Sequence, residues 1–383
     1  MTTAGLLEGV RVVESASLLT GAATGLLLAD MGADVVKVES PSGDLMRFAL
    51  GQITAGNSPA HLQLNRNKRS VTADLRNRDD VARWENLIAG ADILIDGNAV
   101  GTLARFGYDA VRLAALNPRL IRCTVTGFGR TGPYSSIPAH GLLMGAVAGA
   151  YPGDGAAEGA AVDGRGGGPA LSAATAAATA ICAALYRRER SGEGIDIDIS
   201  AADALLVGSM LPITYAANKS RMSDTSTLPI LADGVSGPRY RMYQTAEGRT
   251  VAFAALEPSM WLRFCKAVDR ADLVDAGYES DWLSSQLAEL IGDRTLAEWL
   301  SFAATHRVSV GPANQTVEHL LIDEQLTSRN VFCETEHPTA GAFTAVGLPA
   351  VIDGNEFVIR RHAPDLGEHN DELADGWGCA GGG

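Results

Sequence analysis

Short apolar runs alternate with helical stretches over the first 130 residues, and the alternation itself predicts an architecture. VRVVE at 10–14 reads as a strand, GAATGLLLADM at 21–31 as a helix, and DVVKVE at Asp34–Glu39 as a second strand. This βαβ rhythm implies a right-handed crossover and a parallel sheet. A charged amphipathic helix at 74–89, a strand at 91–96 (ADILID) and another at 120–126 (LIRCTVT) extend the sheet into an open α/β fold. The Gly/Pro stretch 127–136 reads as a loop and 139–151 as an apolar helix, while 152–168, with seven glycines, reads as a mobile loop. A long Ala-rich helix at 170–190 ends in RRER, which suits the negative end of its dipole, and IDIDI at 195–199 alternates as a strand.

A change of composition at 219–238, rich in Ser, Thr, Asp and Gly, marks a boundary. Beyond it a hairpin at 240–256, turned by Glu247-Gly248, and helices over 261–300 predict a smaller α+β domain at about 225–325. The expected division is a large doubly wound, Rossmann-like domain from 1–215 and 330–383, with a linker and small domain at 216–329.

Composition narrows the function classes. The 383 residues are 46% apolar and 20% charged, an ordinary globular balance, and 31 basic against 45 acidic side chains give a formal net charge of −14. That charge opposes phosphate backbones, so nucleic acid is not expected as a partner. The uncharged run 166–186 has the length of a membrane span, but Ala, Ser, Thr and Gly dominate it, and a close-packed interior helix is the expectation. No secretory signal pattern opens the chain, and the five cysteines are scattered without metal-ligand spacing, so reduced thiols in a cytoplasmic protein are expected, with no metal.

GFGRTG at 127–132 spells a glycine-rich fingerprint, yet Pro133 and more loop follow where a dinucleotide site would open a helix. There is no Walker loop, nucleophile elbow or HExxH pattern.

Five strings carry a resemblance: LLADMGADVVKVESPSGDLMR (27–47), LNRNKRSVTADL (64–75), NPRLIRCTVTGFGRTGPY (117–134), RRERSGEGIDIDIS (187–200) and APDLGEHNDEL (363–373). In content and order the chain resembles the family III CoA-transferases of the CaiB/BaiF type, which include the 2-methylacyl-CoA racemases. The resemblance implies an interlocked homodimer that handles acyl-CoA thioesters, with coenzyme A as substrate and no covalently bound cofactor.

The resemblance also implies site residues. The transferases attack the thioester with an aspartate, and its position falls on Ala170, whose methyl group cannot act as a nucleophile. Ser172, Thr175 and Asp163 are the nearby substitutes. His140 falls where the racemases carry a histidine, and imidazole exchanges a proton near neutral pH. Glu257, of a Glu-Pro pair, falls where those enzymes orient or charge that histidine. Asn65, Arg66, Asn67, Lys68 and Arg69, with Arg105 and Arg47, match segments that line the CoA site. Ser17 and Ser40 stand where the family often has arginine, and 96–101 (DGNAVG) replaces a segment with an aromatic residue and an arginine. Three readings follow: an acyl-CoA enzyme in which α-carbon proton transfer fits better than CoA transfer; a catalytically silent subunit partnered with an active paralogue; and a repurposed fold whose carrier is not CoA.

Overall fold

The protein is described by a computed structural model over residues 5–151, 168–223, 237–276 and 280–377. The glycine-rich loop expected at 152–168, including Asp163, lies outside the described residues except for Gly168.

The chain divides into two compact units, one from Met1–Gly208 with Asn330–Gly383 and one from Ser209–Arg329. In the first, β1 (Arg11–Ala16), α1 (Leu18–Asp30), β2 (Asp34–Glu39), α2 (Pro59–Asn65), β3 (Lys68–Thr72), α3 (Arg78–Ala89) and β4 (Ile93–Gly97) follow in order. Next come α4 (Thr102–Arg105), α5 (Ala110–Leu116), β5 (Ile121–Thr126), α6 (Gly141–Val147), α7 (Gly168–Ser191), β6 (Ile195–Ser200) and α8 (Ala201–Val207). The six strands form one parallel sheet in the order β3-β2-β1-β4-β5-β6. Both faces are covered, as a parallel sheet requires. On one side Val12, Val35, Ile93 and Ile121 pack with Leu28 of α1 and with Ala173, Ala177 and Ile181 of α7. On the other, Val13, Val36 and Leu94 pack with Trp84, Leu87 and Ile88 of α3.

The small side chains of α7 are what let it approach α1, where Ala22, Ala23 and Leu26 share a cluster with Ala174. This helix is long and apolar enough to cross a membrane by length and composition, and it spends that apolar face inside the fold. Sheet edge β6 turns its isoleucines to the core and its aspartates outward, where Asp196 meets Arg130 at 2.7 Å. Edge β3 is closed by the returning C-terminal segment: His369 N–H donates to Ser70 O at 3.0 Å and Thr72 N–H to Asn370 Oδ1 at 2.9 Å. A covered edge cannot recruit another chain. The hairpin β10 (Phe332–His337) and β11 (Gly341–Val346) belongs to the same unit.

Three helices differ from the pattern-based expectation. The first starts at Leu18 instead of 21, the helix begun at 74 starts at Arg78, because Asn77 caps it by accepting from Asp79 N–H, and the apolar helix before the glycine-rich stretch is confined to Gly141–Val147. Strand β3 had no pattern signal, since three of its four buried positions are Lys68, Arg69 and Ser70 and only Val71 is aliphatic.

The second unit holds α9 (Met210–Asn218), β7 (Tyr240–Gln244), β8 (Thr250–Ala254), α10 (Pro258–Ala267), α11 (Asp281–Gly292), α12 (Leu296–His306), β9 (Val310–Pro312), α13 (Val317–Leu321) and α14 (Glu324–Ser328). Its sheet is antiparallel, ordered β7-β8-β9, and its core is aromatic: Phe253, Trp261, Phe264 and Trp299 are all but fully buried. The indoles satisfy their N–H groups on Val274 O and Ile291 O.

Candidate functional site

Sheet order reverses between β1 and β4, because successive crossovers run one way from β1 to β3 and the other way from β4 to β6. In an open α/β sheet, a ligand crevice forms outside the carboxyl ends of the strands at such a point. A cavity of about 330 Å3 lies there, lined by Ser15 and Ser17 after β1, Glu39 and Ser40 at the end of β2, Asp74 and Arg76 after β3, and Asn98 after β4. Trp84, Leu103 and Phe106 give it an apolar wall. Ser17 is the N-cap of α1, and Leu18 follows in the left-handed region at φ 64. The backbone N–H of Leu18 donates to Asp44 Oδ1 at 3.1 Å, which helps hold this strained turn.

A buried polar network connects with the cavity through Glu39 and Asp44. Glu14 of β1 sits beside Lys37 of β2 in register and accepts from Lys37 Nζ at 2.8 Å and Lys68 Nζ at 2.7 Å, all three with no exposure. Lys37 also contacts Asp44 at 2.8 Å. Glu39 accepts from Arg47 at 2.6 and 2.8 Å and from Ser70 Oγ at 2.8 Å. His61 donates through Nε2 to Pro364 O at 3.1 Å and accepts at Nδ1 from Asn65 at 2.9 Å.

Burial alone would raise the Glu39 carboxyl, but the Arg47 hydrogen bonds and the Lys37 charge prevail and hold it at about 2. Burial and then the Arg47 charge push His61 down to about 3, so its imidazole is neutral. Burial also pushes Lys68 down to about 8, against the pull of Glu14, whereas the surrounding carboxylates leave Lys37 raised.

Within this frame the residues expected to hold CoA have other partners. Asn65 accepts from Lys68 at 3.0 Å. Arg66 is paired with Asp30 at 2.7 Å, and Asn67 donates to Asp30 at 2.8 Å while accepting from the Arg360 and Arg361 amides. Lys68 has Glu14, Asn65 and Ala22 O; Arg69 has Asp34 and Glu372. None of the five lines the switch-point cavity; Asn67 and Arg69 instead line a wider cleft of about 770 Å3 that includes Arg11, Asp34 and Asp92, at the opposite, amino-terminal ends of the strands. Arg47 is buried against Glu39. Arg105 alone stays exposed, donating to Thr102 Oγ1 at 3.0 Å, one residue before Phe106 of the cavity wall. Of the cavity's polar groups, Ser17, Ser40 and the segment holding Asn98 were noted in the sequence only as departures from the family pattern, and Arg76 was not singled out. Their signal is positional: each follows the carboxyl end of a strand beside the reversal.

His140 is the exposed N-cap of α6, and its side chain makes no capping bond. Ala170 is buried in the first turn of α7, which has no acidic residue. Thr175 returns its hydroxyl to Leu171 O at 3.0 Å, and Ser172 is half-buried. Glu257, in the smaller unit, is the exposed N-cap of α10, again without a side-chain capping bond.

Strand order, crevice and helix-covered faces define a doubly wound α/β protein of the class that seats nucleotide-linked ligands at a topological switch point. The chain belongs to CoA-transferase family III, whose sequence model matches residues 7–370. It is 28% identical to the succinate–glutarate CoA-transferase of Agrobacterium fabrum, over 96% of this chain and 94% of that one. It is 31% identical to the succinyl-CoA:mesaconate CoA-transferase of Haloarcula marismortui, over 97% and 96%. Among solved structures, a CAIB/BAIF family protein from Brucella suis aligns with TM-score 0.77 at 26% identity, covering 97% of this chain and 99% of that one. An aspartate-to-alanine variant of a Mycobacterium tuberculosis protein aligns with TM-score 0.79 at 25% identity over the same shares.

Proposed function

We propose that this chain binds a CoA-type acyl thioester at the switch-point cavity and, as a homodimer, exchanges the proton on the carbon next to the thioester carbonyl. The observation that carries this reading is Ala170: the first turn of α7, where the resemblance sets the attacking aspartate, has no acidic residue. Without that carboxylate no mixed anhydride forms, and the transfer route has no covalent intermediate. Proton exchange needs only one base. His140, exposed and uncommitted to its own helix cap, removes the α-proton, leaving an enolate conjugated with the thioester carbonyl; the imidazolium trades its proton with solvent and returns it. Glu257 is the second residue that the resemblance implies, and Glu257→Gln is expected to slow exchange about tenfold or more, within the usual range for acid–base groups.

The test is deuterium uptake from heavy water at the α-position of a branched acyl-CoA, followed by mass spectrometry. Uptake is expected with the native chain and should vanish in His140→Ala; uptake indifferent to that change rejects the role. A second reading, a silent subunit of an active paralogue, is favoured by the internal ion-pair roles of Arg47, Arg66, Lys68 and Arg69. It predicts no uptake from the purified chain and co-purification with a relative that has the aspartate.

A further inference from the structure

The cleft of about 770 Å3 at the amino-terminal ends of the strands lies wholly within the larger unit, and four arginines line it. They are not equivalent. Arg69 is saturated, with Nε and Nη2 on Asp34 and Nη1 on Glu372 at 2.7 Å. Asp92 is likewise taken, by Arg188 and by the Arg11 amide, each at 2.8 Å. Among the described residues no carboxylate pairs with the guanidinium of Arg11, Arg360 or Arg361, and Glu8 is the one lining carboxylate without a cation. In a chain of net charge −14, this cleft is therefore a local excess of uncommitted positive charge.

The fold fixes where those cations stand. Asn67, buried and left-handed at φ 62, accepts from the Arg360 and Arg361 amides at 2.7 and 3.0 Å, and its own N–H donates to Arg361 O at 2.9 Å. Arg360 spends one donor on Ala29 O, near the end of α1, and keeps the others. Arg11, which opens β1, lies with its guanidinium 5.6 Å from the centre of the Trp377 ring, and the indole N–H is tied to Leu87 O at 2.7 Å. Stacking uses the face of a guanidinium and leaves its in-plane N–H donors for an oxyanion.

The volume falls in the range of small-ligand sites. Cations held on two segments so far apart in the chain suit a ligand with charge at more than one end. A phosphoryl group brings up to two charges and three acceptor oxygens, more than a carboxylate offers, and it matches the arginine fork in bidentate fashion. We infer that this cleft is a second ligand site, apart from the switch-point cavity, which takes a small anion with two phosphoryl groups.

Isothermal titration of the full chain with inorganic pyrophosphate tests it. Binding is expected, weakening as sodium chloride is raised, with inorganic phosphate bound about tenfold less tightly or worse. Arg11→Gln and Arg361→Gln each remove one fork and are expected to weaken pyrophosphate about tenfold or more, the usual worth of a charge-assisted hydrogen bond. Arg361 is exposed, so its variant should keep the native circular dichroism and thermal midpoint even if Arg11→Gln does not. Arg105→Gln, beside the other cavity, is expected to leave pyrophosphate affinity unchanged. Absence of pyrophosphate binding, affinity indifferent to Arg361→Gln, phosphate bound as tightly as pyrophosphate, or a loss that follows Arg105→Gln instead overturns the inference.

Discussion

Lys68 shows what a match along the chain leaves open. In the NRNKRS string the resemblance implies a residue that lines the CoA site, and the fold places it at zero exposure against Glu14 with two further acceptors. Lys68→Met is expected to cost about 3–5 kcal/mol in urea unfolding, the usual penalty for removing one partner of a buried pair, with ligand affinity of the folded fraction little changed. The reverse pattern, full stability and lost affinity, would return it to the binding site. His61 sets a pH signature. Its folded value of about 3 lies below the ordinary 6.5, so the unfolded chain takes up the proton first. Stability is therefore full above 6.5 and falls as the pH drops towards 3, at up to about 1.4 kcal/mol per pH unit. Glu39 adds a loss of the same sign only between 4.5 and about 2, so the window from 6.5 to 4.5 isolates histidine. His369, also lowered by burial, contributes there too, and urea unfolding of His61→Asn against pH should show a shallower slope than the native chain in that window.

At the scale of elements, α1 carries Gly25 in its interior, where alanine ordinarily stabilises a helix by about 1 kcal/mol. Here a Cβ would sit 2.0 Å from Glu14 Oε2 and 3.2 Å from Lys68 Nζ. Gly25→Ala is expected to lower the unfolding midpoint instead of raising it, and a gain in stability would place the ion pair elsewhere. The elements with the strongest patterns were legible in advance: β2 spans the residues read for it, and the long helix α7 begins and ends within two residues of its reading. The hairpin turn at Glu247-Gly248 joins β7 to β8, with Gly248 at φ 76. Strand β3 was illegible because polarity masks its period; two of its four buried side chains, Lys68 and Arg69, are charged, and partners far along the chain make that tolerable.

For the molecule as a whole, α9 buries none of its residues in the chain, and Met210, Leu211 and Ile213 are 57%, 66% and 42% exposed. Apolar positions left uncovered in this way mark an interaction surface. A homodimer is expected in analytical ultracentrifugation at micromolar concentration, and Leu211→Asp with Ile213→Asp should yield monomers; an unaltered dimer would assign the interface to another face.

The sequence by itself determined the family and the parallel sheet, because these depend on local periodicity and on the order of motifs along one dimension. It did not determine which cations are available. That was decided by the tertiary structure, since a positive charge can bind a ligand only if no carboxylate has reached it first, and the partners of Lys68, Arg69 and Arg47 come from 54, 303 and 8 residues away. Charge pairing across such separations is a property of the packed chain, invisible to any motif.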